Sequence, residues 1–220
     1  MEETLWAARL VLYALFQKAF GAEPDDVLFD LVKGAVASEA CDVFAAELDE
    51  EEGRMFRAAF DRLRVDAATA WTRSPEGVRA DYTRLFVGPA ALPAPPWESV
   101  HRQGALFQTS TLEVRRAYAA QGLAAEGSPR VADDHLAMEL DFMRTLCSRA
   151  LASLRSGDVQ CAERCIEAQR TFLDEHLLVW TGSFAAALAR EEASVYAGCG
   201  TLLALFVQLD RGIAARHRVR

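Results

Sequence analysis

The residues best suited to chemistry lie in one short run, Asp133-Asp134-His135-Leu136-Ala137-Met138-Glu139. His135 and Glu139 are four apart, a spacing that puts two side chains on one face of a helix. With Asp134 they could hold a metal ion, and a metal-dependent hydrolase is one reading of the run. A zinc site, however, needs three or four ligands, and the neighbouring cysteines do not complete one in sequence. The plainer reading is a helix start capped by Asp133, whose histidine bonds a carboxylate. Exposed N–H groups at such a helix start could also accept an anion.

Other candidates are weaker. Cys161 and Cys165 also stand four apart on one helix, but no further metal ligand is evident nearby, and cysteine is common in cores. Glu163 and Glu167 share a different, solvated face. His176, in FLDEHLLVW, falls near a helix end, where a cation or a hydrogen bond to a carbonyl is welcome. Gly198 and Gly200 bracket Cys199 in an apolar helix and suit close helix packing. The chain contains no G-x-S-x-G elbow, no P-loop and no G-x-G-x-x-G. Nothing in it reads as a catalytic centre.

A second stretch suggests binding. In YTRLFVGPAALPAPPWESVH (82–101), Tyr82, Leu85 and Phe86 close a helix, and Gly88-Pro89 leads into a loop holding Pro93, Pro95 and Pro96. Proline fixes φ and cannot continue a helix, so the loop is stiff and holds Trp97 in a defined place beside Glu98. A rigid aromatic beside a carboxylate suits capture of an apolar and cationic peptide. The plainer reading makes Trp97 a core anchor for its loop, with Tyr82, Leu85 and Phe86 as ordinary core.

Helices must position these residues. Alanine is abundant and β-branched alternation scarce, which points to an all-α protein. Thr4 opens a first helix that ends at Gly21. Asp25 and Asp26 open a second that runs on to Phe44. The acidic run Glu47 to Glu52 starts a third, where carboxylates suit the positive end of the helix dipole. Ser74-Pro75-Glu76 is a strong helix start. Ser110 and Glu113 have the spacing of a capping box. Asp133 and Asp158 open later helices, followed by others at Gly182 to Glu192 and from Ala193 to Arg216. The sum is roughly nine or ten helices. The polar connector Gly122 to Val131 marks a hinge, dividing an N-terminal lobe (1–121) from a C-terminal lobe (133–220) with 122–132 between them, although the two could pack as one domain. An exchange of halves between chains could occur there, so a monomer and a domain-swapped dimer are both compatible.

Composition narrows the partners. The 220-residue chain is 51% hydrophobic and carries a formal charge of −8. That balance argues against nucleic acid, which needs basic patches for its phosphates, and fits a cationic partner. Five cysteines, an odd number, indicate no disulfide framework and a reducing compartment. The N-terminus, MEETLWAARLVLYALF, places acid before its apolar run and reads as an amphipathic first helix, not a signal peptide. The apolar stretch 193–209 is shorter than the ~20 residues a membrane span needs, so no stable membrane insertion is expected.

Three blocks in order, YTRLFVGP with PAPPWESV, then DDHLAMELDFM, then FLDEHLLVWTGSF, resemble the TorD/DmsD/NarJ group of redox-enzyme maturation chaperones. They span residues 82 to 184. The resemblance implies an all-helical fold of two lobes joined by a hinge, a cytoplasmic protein and no catalysis. It implies a molybdoenzyme precursor as partner, bound through its twin-arginine leader and held until the molybdopterin cofactor is inserted. No cofactor of the chaperone's own is implied, although some members are reported to bind guanine nucleotides. Carried over residue by residue, the leader-binding surface comprises Tyr82, Leu85, Phe86, Pro96, Trp97, Glu98, Asp134 and His135. Asp134-His135 matches the family's Asp-His pair. Where the family usually has Glu three residues before that Asp, this chain has Val131, with Asp133 as a nearby electrostatic substitute. On this reading Glu98 and Asp134 take the leader arginines, His135 orients Asp134, and the aromatics take the apolar run. A helical adaptor for a folded partner is the remaining alternative.

Overall fold

The computed structural model describes residues 2–88, 91–124, 132–191 and 195–216. Among them it contains eleven α-helical segments: α1 (Glu2–Gly21), α2 (Asp26–Lys33), α3 (Ala35–Ala46), α4 (Glu50–Arg73), α5 (Pro75–Tyr82), α6 (Glu98–Gln103), α7 (Thr109–Ala120), α8 (Leu136–Ser156), α9 (Val159–Phe172), α10 (Leu178–Ala189) and α11 (Val195–Arg216). A π-helical turn, Thr83–Val87, prolongs α5, and a second, Leu173–Leu177, joins α9 to α10 in one continuous rod. The all-α expectation holds. The hinge and Val131 fall mostly or wholly on residues 125–131, outside those described, as do Pro89 and the expected helix start at Ala193.

Several local signals act as read. Ser74 caps α5 by accepting from the Gly77 N–H at 3.0 Å, with Pro75 at the first helical position. Asp49 accepts from the Glu51 and Glu52 N–H groups at the acidic start of α4. Asp158 caps α9 through the Cys161 N–H, and Gly157 closes α8 at φ 77°, a conformation that favours glycine.

Other expectations are corrected. The helix expected from Asp25 to Phe44 is two, because Gly34 adopts an extended conformation (φ −69°, ψ 159°) and breaks it. The Ser110/Glu113 box does not form: Gln108 holds the cap position, and Ser110 is instead buried and donates to Gln103 at 2.8 Å. Asp133 does not cap α8. His135 does, while Asp133 pairs with Arg115 of α7. The helix start expected at Gly182 is absent: Gly182 lies inside α10, which the π turn joins to α9.

Buried residues from Leu5 to Ala214 form one continuous core, fed from both sides of 122–132. Helix α1 lies at its centre, packed against α3, α8 and α11. Phe206 of α11 meets Tyr13, Phe16, Phe44 and Phe56, its ring centroid 4.9 to 6.3 Å from theirs. Gly200 brings α11 against α10, since a Cβ there would lie 2.6 Å from a Leu188 methyl carbon. One ion pair crosses this core: Arg9 grips Asp210 with Nε at 2.5 Å and Nη2 at 2.8 Å, and the Tyr13 hydroxyl donates to the same carboxylate. Both charges are wholly buried, so each depends on the other for solvation.

Candidate functional site

The proline loop is tied to the start of α8 by backbone pairing. Trp97 and His135 form an isolated antiparallel bridge. Leu136 N–H donates to the Pro96 carbonyl at 2.8 Å, and Glu98 N–H donates to the Asp134 carbonyl at 3.0 Å. Across the bridge the Trp97 and His135 rings meet edge to face, with centroids 5.3 Å apart and planes at 82°. A loop of fixed φ and a two-point backbone clamp thus hold the indole in one orientation. Its Nε1 is buried without a hydrogen-bond partner.

The two acids of the expected site are scaffold groups in this arrangement. Asp134 is completely buried; its Oδ2 accepts from the Ser99 N–H at 2.7 Å and its Oδ1 from the Thr111 hydroxyl at 2.9 Å. It therefore caps the first turn of α6 and ties it to α7. His135 does not orient it: the ring's Nδ1 accepts from the Ala137 N–H at 3.1 Å. That bond leaves Nδ1 without a proton, and burial pushes the imidazole down to about 4. The ring is therefore neutral at physiological pH, with its proton on Nε2.

Glu98 is also completely buried, under three partners. Arg102, one turn along α6, donates from Nη1 to its Oε1 at 2.5 Å. His176, from the π turn between α9 and α10, places Nδ1 3.0 Å from its Oε2. Glu139, on α8, is the third. Burial first, and then the nearby Glu98 carboxylate, push its pKa well above the usual carboxylate range. Its Oε2 accepts from the Trp180 indole at 3.1 Å. The Glu98 side chain is thus enclosed by a guanidinium, an imidazole and a second carboxyl group.

Tyr82, Leu85 and Phe86 lie apart from this cluster and are buried. Phe86 packs against Phe20, Phe184 and Tyr196, with ring centroids 5.8, 6.1 and 5.1 Å away. His101 of α6 connects the two groups: it packs on Trp180 and Phe184, and its Nε2 donates to the Pro95 carbonyl at 2.8 Å. Of the eight candidates, only Trp97 and His135 keep partial exposure; Tyr82, Leu85, Phe86, Pro96, Glu98 and Asp134 are buried.

The hydrolase alternative fits this geometry poorly. Both Asp134 oxygens are engaged, the His135 Nδ1 lies on backbone and Glu139 faces Trp180. Among the described residues no group of three or more His, Cys, Asp and Glu side chains could hold a metal.

Sequence reasoning missed Arg102, although Glu98 and Arg102 have the i, i+4 spacing of a helical ion pair. The His176 contact comes from 78 positions away and leaves no local signal. Phe107 was also missed. It is 63% exposed at φ 57°, a backbone region costly for a bulky residue. Leu106 and Leu112 beside it in sequence are exposed as well.

The fold is thus all-helical on one core, with a clamped aromatic loop over a buried ionic cluster. Residues 44–186 match the family described as nitrate reductase delta subunit, and the chain belongs to that family, which supports the TorD/DmsD/NarJ resemblance. Chaperone protein TorD of Vibrio cholerae is 31% identical over 134 residues, covering 60% of this chain and 60% of the relative. The Tat proofreading chaperone DmsD of Salmonella typhi is 41% identical over 71 residues, 31% of this chain and 35% of that one. The chain thus matches less than two thirds of the length of these relatives. The fold resembles that of a candidate redox enzyme maturation protein from Archaeoglobus fulgidus (TM-score 0.51, 19% identity, 92% of this chain and 93% of the other). Among the described residues no helix is long and apolar enough to cross a membrane.

Proposed function

We propose that this chain is a maturation chaperone. It binds the precursor of a molybdoenzyme through the twin-arginine leader, and holds it in the cytoplasm until the molybdopterin cofactor is inserted. The names of the TorD and DmsD relatives support the class. No catalytic step is part of the reading. The chain closes on itself as a monomer or exchanges halves through 122–132 as a dimer.

The observation that carries the reading is the Trp97–His135 pair, clamped at the surface directly beside the buried Glu98. These two rings meet the leader. Tyr82, Leu85, Phe86 and Pro96 form the apolar backing, and Asp134 fixes α6. Arg102 already places a guanidinium on Glu98, and its side chain is 28% exposed. A leader arginine takes the same carboxylate by replacing Arg102, one guanidinium for another, so Glu98 never loses a cationic partner. The leader's apolar run then follows α6 toward Leu106 and Phe107, a helix about 9 Å long.

Calorimetric titration of the purified chain with a twin-arginine leader peptide, beside one with both arginines changed to alanine, tests this. Binding that needs the arginines and weakens with salt is expected. Equal binding of both peptides, or of neither, rejects it.

A further inference from the structure

We infer that His176 is a positioning residue for leader binding: it holds the Glu98 carboxylate from the inside, so that Oε1 faces the guanidinium that exchanges. The inference rests on the proposed function. It adds to that site a residue 78 positions away from Glu98 and outside the eight candidates.

Glu98 has one partner that can leave and one that cannot. Arg102 bonds Oε1, and its side chain is 28% exposed. His176 is buried, its Nδ1 3.0 Å from Oε2 and 3.3 Å from Oε1. A carboxylate that faces a guanidinium only accepts, so the proton of the histidine contact sits on Nδ1. When Arg102 gives way to a leader arginine, that N–H stays. The carboxylate keeps its orientation, and the buried charge keeps a donor throughout the exchange. Arg102 also has a second partner ready, since its Nη1 already lies 3.5 Å from Oε2 of Glu113 on α7.

The backbone presents the ring at that place. The π turn Leu173–Leu177 closes with a bond from the Leu178 N–H to the Leu173 carbonyl, five residues back. Single π turns of this kind recur at functional sites. His176 packs on Phe172, four residues earlier, with ring centroids 4.6 Å apart. Trp180, four residues later, donates to Glu139 at 3.1 Å. Two ring nitrogens of one rod thus meet the two buried glutamates, one each.

Packing and hydrogen bonding can be separated here. Asparagine places an N–H where Nδ1 stands, without the ring; phenylalanine places a ring without the N–H. The test titrates the full chain, as wild type, His176→Asn and His176→Phe, with the twin-arginine leader peptide and with the peptide whose arginines are alanine. His176→Phe is expected to bind the twin-arginine peptide at least about tenfold more weakly than wild type, and His176→Asn to stay within about threefold. Nitrogen NMR of the histidine rings in wild type at mildly alkaline pH is a second readout, which needs no phenylalanine variant to fold, and should show the proton of His176 on Nδ1. If wild type discriminates between the peptides, but His176→Phe binds the twin-arginine peptide as well as His176→Asn does, the ring acts by packing and the inference is overturned while the leader reading stands. A bare Nδ1 overturns the inference as well. A wild type that does not discriminate between the peptides rejects the leader reading, and the role given to His176 with it.

Discussion

Arg102 donates to Glu98 at 2.5 Å across a single turn of α6, so a guanidinium of the chain itself already sits on the carboxylate that the proposed function assigns to a leader arginine. If the two compete, Arg102→Ala frees the carboxylate. Leader affinity should then rise by up to about tenfold, since a hydrogen bond to a charged group is worth roughly 1.5–3 kcal/mol and part of that gain is lost to a less stable fold. Calorimetry on Arg102→Ala and on Arg102→Ala/Glu98→Gln measures it; the gain must vanish in the double variant. Unchanged affinity in the single variant would mean that leader arginines bind elsewhere.

Asp134 acts on folding rather than on the ligand. Asp134→Ala strands the Ser99 N–H and the Thr111 hydroxyl inside the protein. The expected loss is about 2–6 kcal/mol in urea unfolding, from two unsatisfied buried groups at roughly 1–3 kcal/mol each. At a temperature where the variant is still folded, leader affinity should fall only as far as α6 loses its position. A stable variant with abolished binding would make Asp134 a direct contact.

His135 gives the stability a pH dependence. Its folded pKa, lowered by burial to about 4, lies below the ordinary 6.5. Its contribution is therefore complete above pH 6.5. It declines as pH falls from 6.5 to 4, because the unfolded ring takes up a proton that the folded ring, holding the Ala137 N–H, refuses. The loss is at most about 3 kcal/mol. His135→Asn keeps a good capping residue, so the difference in stability between the two proteins should shift in its favour across that window. A constant difference from pH 7 to 4 would show that the ring titrates normally.

These roles show what was legible in the chain. Ser74, Asp49 and Asp158 act as caps because a cap depends on neighbours three residues away, and that information is local. Gly34 was passed over because the apolar periodicity continues through it, while its extended backbone depends on how α2 and α3 pack. The Asp134-His135 pair and Trp97 were found as a group, and the structure does bring them together. The burial of Asp134 was not legible, because its partners Ser99 and Thr111 lie on α6 and α7, far away in sequence. The same holds for Glu98, whose charge looked available until His176 and Glu139 closed over it.

Phe107 separates binding from folding in the other direction. Held at φ 57° with most of its ring in solvent, it contributes little to the core. Phe107→Gly relieves the backbone conformation but adds freedom to the unfolded chain, so stability should change by no more than about 1 kcal/mol. Leader affinity should drop several-fold if the apolar run reaches the end of α6. Thermal unfolding and the same titration measure the two effects. Full affinity in this variant would place the apolar run on another face.

The most direct measurement is the titration of Trp97→Ala with the twin-arginine leader peptide, beside wild type and with both proteins shown to be folded. Trp97 is the candidate that the fold clamps at the surface, and truncating a large aromatic anchor at an interface typically costs about 2 kcal/mol or more. The account predicts affinity at least about thirtyfold weaker than wild type. Equal affinity of the two proteins would contradict it and remove the Trp97–His135 face as the leader-binding surface.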